Sequence, residues 1–100
     1  MNEAHEEIWW LYLMLCKTGR IYTGISKDPL MRFEVHRREP SAFSRMNKAD
    51  RLLGAMQIGT YKEACRVERR VKRLNRSAKI ELAARMSRGL AWRARTAAQG

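Results

Sequence analysis

The chain has 100 residues with 21 Lys+Arg against 10 Asp+Glu, a formal net charge of +11 at pH 7, and a hydrophobic share of 45% beside a charged share of 31%. This length allows a single domain with a single core, and the apolar share excludes an intrinsically disordered chain. An excess of positive charge this large points to a polyanionic partner, nucleic acid first, over a basic surface that serves solubility alone.

Cys16 and Cys65 are too few and too far apart for a zinc site, and each falls in an apolar-patterned segment where a reduced thiol packs as a small hydrophobe. No disulfide is expected. The N-terminal stretch lacks a basic leader region, the apolar run 8–16 is too short to span a bilayer, and no basic amphipathic helix with a broad aromatic face is present. The expected location is therefore cytoplasmic, with the nucleoid, and no membrane partner is expected.

Residues 1–7 are polar and read as a frayed N-terminus. The run IWWLYLMLC, Ile8 to Cys16, is aromatic and aliphatic without strict alternation, as in a strand buried on both faces at the centre of a sheet. Lys17-Thr18-Gly19-Arg20 follows as a turn, and Ile21 to Ile25 is a second strand, completing a β-hairpin. Gly24 inside that strand marks a bulge or the close approach of another group.

Asp28 is placed as an N-cap and Pro29 as the first helical residue of a helix running to about Arg38. On it Leu30 and Phe33 are expected to face the core, while Arg32 and His36, at i and i+4, share another side. Residues 39–50 read as a loop rich in turn formers, with basic residues placed to touch a substrate. Arg51 to Ile58 is a third strand of poor alternation.

Thr60-Tyr61-Lys62-Glu63 has the pattern of a capping box and starts a long helix near Tyr61. Its apolar stripe is Ala64, Val67, Val71, Leu74 and Ala78, with Arg66, Arg69, Arg70 and Arg73 opposite. Glu68 projects from the edge of the inward face, and Asn75 from the same edge. Asn75-Arg76-Ser77 breaks and re-caps the chain, and Ala78 to Arg88 reads as a further helix with Leu82 and Met86 inward, stopped by Gly89. The domain is thus expected over 8–88, with 89–100 a last short helix or a basic tail.

With these residues in place, the chain resembles the GIY-YIG nuclease superfamily, in particular its small single-domain bacterial members. The first motif is here Trp10-Leu11-Tyr12 and the second Tyr22-Thr23-Gly24. Ser26-Lys27-Asp28 then leads into the helix of Arg32 and His36, followed by Ala64, Glu68 and Lys72 on a later helix and by Lys79. The resemblance covers about residues 8–86 and rests on the order and spacing of the set more than on either motif. It implies an α+β fold, a small three-stranded antiparallel sheet flanked by helices, and metal-dependent hydrolysis of a DNA phosphodiester.

The chain departs from the pattern in four places. The first motif lacks its glycine and isoleucine, Thr23 replaces the isoleucine of the second, and Ile25 and Ile80 stand where some relatives have a lysine and an asparagine. Asn75 could substitute for that asparagine only from a different position.

Such hydrolysis needs a base for the attacking water, a cation against the phosphoryl oxygens and stabilisation of the leaving oxygen. Glu68 would be the single protein ligand of a Mg²⁺ or Mn²⁺ ion that keeps water and phosphate oxygens around it. Arg32 would pair with the scissile phosphate through its planar fork. Tyr22 or His36 would take the proton, with Tyr12 orienting the water or a phosphate oxygen. Histidine titrates near neutrality unaided and is favoured on chemistry alone, whereas the resemblance favours Tyr22. Lys27, Arg37, Arg38, Arg45, Lys48 and the arginine face of Arg66, Arg69, Arg70, Arg73 and Arg76 would contact phosphates, while Lys72, Lys79 and Asn75 are left open as site residues.

Each residue also has a plainer reading: strand tyrosines as core, His36 as a solvated side chain, Arg32 paired with Glu34 or Glu39, Glu68 paired with Lys72. Three functions follow. The first is a DNA endonuclease that reads DNA structure, since the chain has no separate sequence-reading module. The second is a non-catalytic nucleic-acid-binding module on the same fold. The third is an accessory subunit docking on a larger repair or replication protein through Trp9, Trp10 or Trp92.

Overall fold

The computed structural model describes residues 7–38 and 48–86. The core of the fold is β1 (Trp9–Cys16), which lies between β2 (Ile21–Ser26) and β3 (Ala49–Gly59) in an antiparallel sheet of order β2-β1-β3. A central strand has both faces covered, and Leu11, Tyr12, Leu13 and Met14 are accordingly all buried. The β1–β2 turn closes through reciprocal bonds, Cys16 N–H to Arg20 O and Gly19 N–H to Cys16 O, both 2.8 Å. Gly19 makes this possible at a φ of +93°, in the region open to glycine.

β3 is longer than its sequence pattern suggests, taking in Ala49, Asp50 and Gly59 beyond the expected 51–58. Register shifts against β1 at Leu13/Met14 and Leu15/Cys16 explain the weak alternation. An extra residue at each shift, Leu53 and Asp50, puts the side chains after it out of phase with those before, which breaks the period-two pattern.

Helix α1 (Pro29–Arg38) starts as expected: Met31 N–H donates to Asp28 Oδ1 at 3.1 Å, and Asp28 N–H donates to Ser26 Oγ at 3.0 Å. Its inward side differs from the expectation. Leu30 is 62% exposed, whereas Pro29 is buried and Phe33 packs with Tyr12. Pro29, Phe33 and His36 follow i, i+4, i+7 spacing, and Leu30 is turned about 100° away from that line.

Helix α2 (Tyr61–Lys72) carries the full capping box, with Glu63 N–H donating to Thr60 Oγ1 and Thr60 N–H to Glu63 Oε1. Those bonds hold the Glu63 carboxyl below its ordinary pKa. The helix ends before Leu74, which is 39% exposed and does not extend the stripe of Ala64, Val67 and Val71. Helix α3 spans 76–86, two residues ahead of the expected start at Ala78, because Asn75 itself is the cap: Ala78 N–H donates to its Oδ1 at 2.9 Å. Arg76 ties α3 to the hairpin by donating to Gly19 O.

The pleat of β1 divides the core. Leu11 and Leu13 face α2 and α3 and pack with Val71, Ala83 and Met86. Tyr12, Met14 and Cys16 face α1 and pack with Ala49, Ala55 and Phe33. At about 25 cal/mol per Å² of apolar surface, each such face is the main stabilising contribution of its layer. Both cysteines are free. Among the described residues no helix is long and apolar enough to cross a membrane.

Candidate active site and nucleic-acid surface

Tyr12 and Tyr22 meet on the α1 face because the hairpin register pairs Tyr12 with Gly24 and Met14 with Tyr22, which sets both phenol rings on the same side. Gly24 supplies the room. A Cβ added there would stand 2.6 Å from Tyr12 Oη and 2.9 Å from Tyr22 Cε1. The group whose close approach the strand glycine permits is therefore the Tyr12 ring.

The two rings lie 6.1 Å apart between centroids, and the His36 ring lies 5.4 Å from that of Tyr22. Tyr12 is 1% exposed and has the Arg32 guanidinium and the Tyr22 hydroxyl as its charged and polar neighbours. Burial pushes its hydroxyl up to about 12, the proximity of Tyr22 adding to the rise and the Arg32 guanidinium opposing it. Tyr12 therefore keeps its proton at neutral pH. Arg32 is otherwise exposed and retains further donors of its five.

Four of the five expected catalytic residues, Tyr12, Tyr22, Arg32 and His36, thus form one array. Glu68 stands on α2, which packs against the opposite face of the sheet. It is half-buried and paired with Lys72 at 3.5 Å, the plain i+4 partner. The link to the array runs round the edge strand β2: Lys72 and Tyr22 line the same cavity of about 200 Å³, together with Lys79. Among the described residues no group of three or more His, Cys, Asp and Glu side chains is placed to hold a metal ion. The donor set fits a hard cation that takes one carboxylate and otherwise water and phosphate oxygens.

The expected phosphate contacts fall into separate patches. Arg66, Arg69, Arg70 and Arg73 are exposed and line one groove on the outside of α2. Arg37 pairs with Glu34 at 3.1 Å, Arg38 is exposed at the end of α1, and Lys48 is exposed before β3. Lys27 pairs with Glu7 and lies 5.6 Å over the Trp9 ring, which in turn meets Tyr61 edge-on at 4.8 Å. Trp9 is covered in this way and Trp10 packs in the Tyr12 cluster. Arg76 and Asn75 have the structural duties given above. Arg45 and Trp92 lie outside the described residues.

Sequence reasoning missed Arg20 and Thr23 as lining residues of the cavity beside Tyr22. The signal for Thr23 was in plain view, as a hydroxyl in place of the motif's isoleucine.

A three-stranded antiparallel sheet with helices on both faces and a tyrosine pair seated on a strand glycine defines a small α+β domain. The family model of the GIY-YIG catalytic domain matches residues 8–81, and the chain belongs to that family. Its relatives include a UPF0213 protein of Cupriavidus pinatubonensis, 37% identical over 81% of this chain and 91% of the relative. A UPF0213 protein of Cronobacter sakazakii is 38% identical over 78% and 83% of the two chains. A third, from Cupriavidus necator, is 35% identical over 81% and 89%. No solved structure gives a significant match to the chain.

Proposed function

We propose that the protein is a divalent-metal-dependent DNA endonuclease whose substrate is chosen by structure, as in branched, nicked or damaged DNA. The observation that carries this reading is the clustering of Tyr12, Tyr22 and His36 ring to ring on the α1 face, with the Arg32 guanidinium acting on Tyr12. An aromatic core alone needs no such charged neighbour.

Arg32 holds two oxygens of the scissile phosphate while Tyr12 beside it fixes the direction of the guanidinium. Tyr22 takes the proton of the attacking water and passes it to His36. A new P–O bond forms to the water oxygen, the ester P–O bond breaks, and the released sugar oxygen takes a proton from solvent. Tyr12, with its raised pKa, is the donor of the array and not its base. A Mg²⁺ or Mn²⁺ ion, held by Glu68, would neutralise charge on the phosphoryl oxygens.

Cleavage of plasmid, single-stranded, flap and four-way-junction DNA with Mg²⁺, Mn²⁺ or EDTA tests the reading. Metal-dependent cutting by the wild type that disappears in Glu68→Ala, with DNA affinity retained, is the expected result. The exposed arginine groove of α2 favours a second reading, a binding module without catalysis. Salt-sensitive binding equal in both proteins, with no cutting, would select that reading.

A further inference from the structure

The cavity at the hairpin end of β2 is lined by three cationic side chains drawn from three elements: Arg20 of the turn, Lys72 at the end of α2 and Lys79 on α3. Converging like charges are unfavourable without a counterion. Lys72 is offset by Glu68, but Arg20 and Lys79 have no carboxylate partner among the described residues. In the same wall stands Thr23, 3% exposed, whose Oγ1 has no hydrogen-bond partner among the described residues. A buried hydroxyl left unsatisfied is uncommon in a folded protein, and here it replaces an isoleucine of the motif.

We propose that this cavity is a phosphate subsite, separate from the Arg32 position, that receives a backbone phosphate neighbouring the scissile one. Arg20, Lys72 and Lys79 neutralise the phosphate, and Thr23 donates its hydroxyl to a phosphoryl oxygen. Tyr22 is the shared wall: its ring belongs to the catalytic array and the residue borders the cavity. A strand lying along the β2 edge therefore meets Arg32 on one side of Tyr22 and the three cations on the other. The assignment rests on the nuclease reading for its ligand, and its recognition chemistry is that of a phosphate group in general.

The test is binding of a short labelled duplex DNA in EDTA across a salt series, with wild type, Lys79→Gln, Arg20→Gln and Thr23→Val, each checked by thermal melting. Each charge removal is expected to flatten the slope of log K against log salt by about 0.9. Thr23→Val is expected to weaken binding by about 3- to 10-fold while melting no lower than wild type.

Unchanged slopes in the charge variants, together with wild-type affinity in a more stable Thr23→Val, would overturn the proposal and leave Thr23 a plain packing defect. Inorganic phosphate is the second probe. A rise in melting temperature that Lys79→Gln loses shows that the subsite takes free phosphate as well, and no rise beside an altered DNA slope restricts it to backbone phosphates. If the wild type cuts none of the DNA panel yet the slopes change, the subsite stands and the nuclease reading falls. If Arg32→Ala abolishes cutting while the slopes stay fixed, the reverse holds.

Discussion

The two faces of the sheet are built from alternate residues of the same strand and are chemically unlike. Toward α2 and α3, β1 presents Leu11 and Leu13 to Val71, Ala83 and Met86, an aliphatic core. Toward α1 it presents Tyr12, Met14 and Cys16, among Tyr22, Phe33 and Trp10, an aromatic layer threaded by hydroxyl groups and reached by an arginine. A pleat of period two thus lets eight residues present an aliphatic face on one side and an aromatic, hydroxyl-bearing face on the other. Thr23 is the one buried polar side chain among the described residues, and its pairing with Leu13 places it on the aliphatic side. That exception is why its position carries more information than another isoleucine would.

Breaking the comparison from each side should give opposite results. Leu13→Ala removes a fully buried side chain and is expected to cost about 2–5 kcal/mol in chemical denaturation, with DNA affinity per folded molecule preserved. Arg32→Ala, at an exposed position, should leave the denaturation midpoint nearly unmoved and lower the cleavage rate about 10²–10³-fold. A large stability loss in Arg32→Ala would show that the array is structural cement instead.

Tyr12 belongs to both accounts, and pH separates them. Its hydroxyl is raised from 10.0 to about 12 in the folded protein, so between these values the unfolded chain releases a proton that the folded chain keeps. Stability from this group is fully present below pH 10 and is lost as pH rises toward 12, by roughly 2–3 kcal/mol in all. Tyr12→Phe should remove that part of the alkaline slope, as read from denaturation curves at pH 9 to about 12, and should reduce cleavage at neutral pH where stability is unaffected by titration. An alkaline slope identical in both proteins would mean that Tyr12 ionises freely in the fold.

Gly24→Ala tests the seat of the same ring with a smaller perturbation. Its Cβ must displace Tyr12 Oη and Tyr22 Cε1, and overpacking of this kind costs about 1–3 kcal/mol. Cleavage should fall more than stability, since the tyrosines can move apart within the fold but the array depends on their spacing. A cleavage rate that tracks only the folded fraction would detach the ring geometry from catalysis.

Much of this organisation was legible from the chain. The turn residues, Asp28-Pro29 and the Thr60/Glu63 box are local signals with local causes, and they marked the hairpin and the starts of α1 and α2. Strand β3 was less legible because its register shifts scramble the period-two pattern on which strand reading depends. Leu30 misled because a leucine beside Pro29 attracts attention as core, while the packed line is set by Phe33 and His36 against the tyrosines. The tyrosine, arginine and histidine spacing identified four members of the array, and the i+4 spacing offered Lys72 as the partner of Glu68, but neither showed that this pair stands across the sheet from the array. Spacing along a helix says which side a residue takes, and only the layer order says what faces that side.

Glu68 is where the two faces would have to cooperate, and it is the smallest expected effect on stability. Its ion pair with Lys72 is an i+4 contact with the lysine side chain 56% exposed, so solvent screening reduces its worth to a few tenths of a kcal/mol. Glu68→Gln keeps the shape but removes the charge; the melting temperature should move by no more than about a degree or two, and should not respond to added salt beyond the wild type. Cleavage, by contrast, should vanish in the presence of Mg²⁺ or Mn²⁺, because a neutral amide is a poor ligand for a hard cation. The pair of measurements is decisive in combination: a destabilised Glu68→Gln that still cuts DNA assigns the carboxylate to α2 alone, and a stable one that cannot cut assigns it to the reaction carried out on the far side of β2.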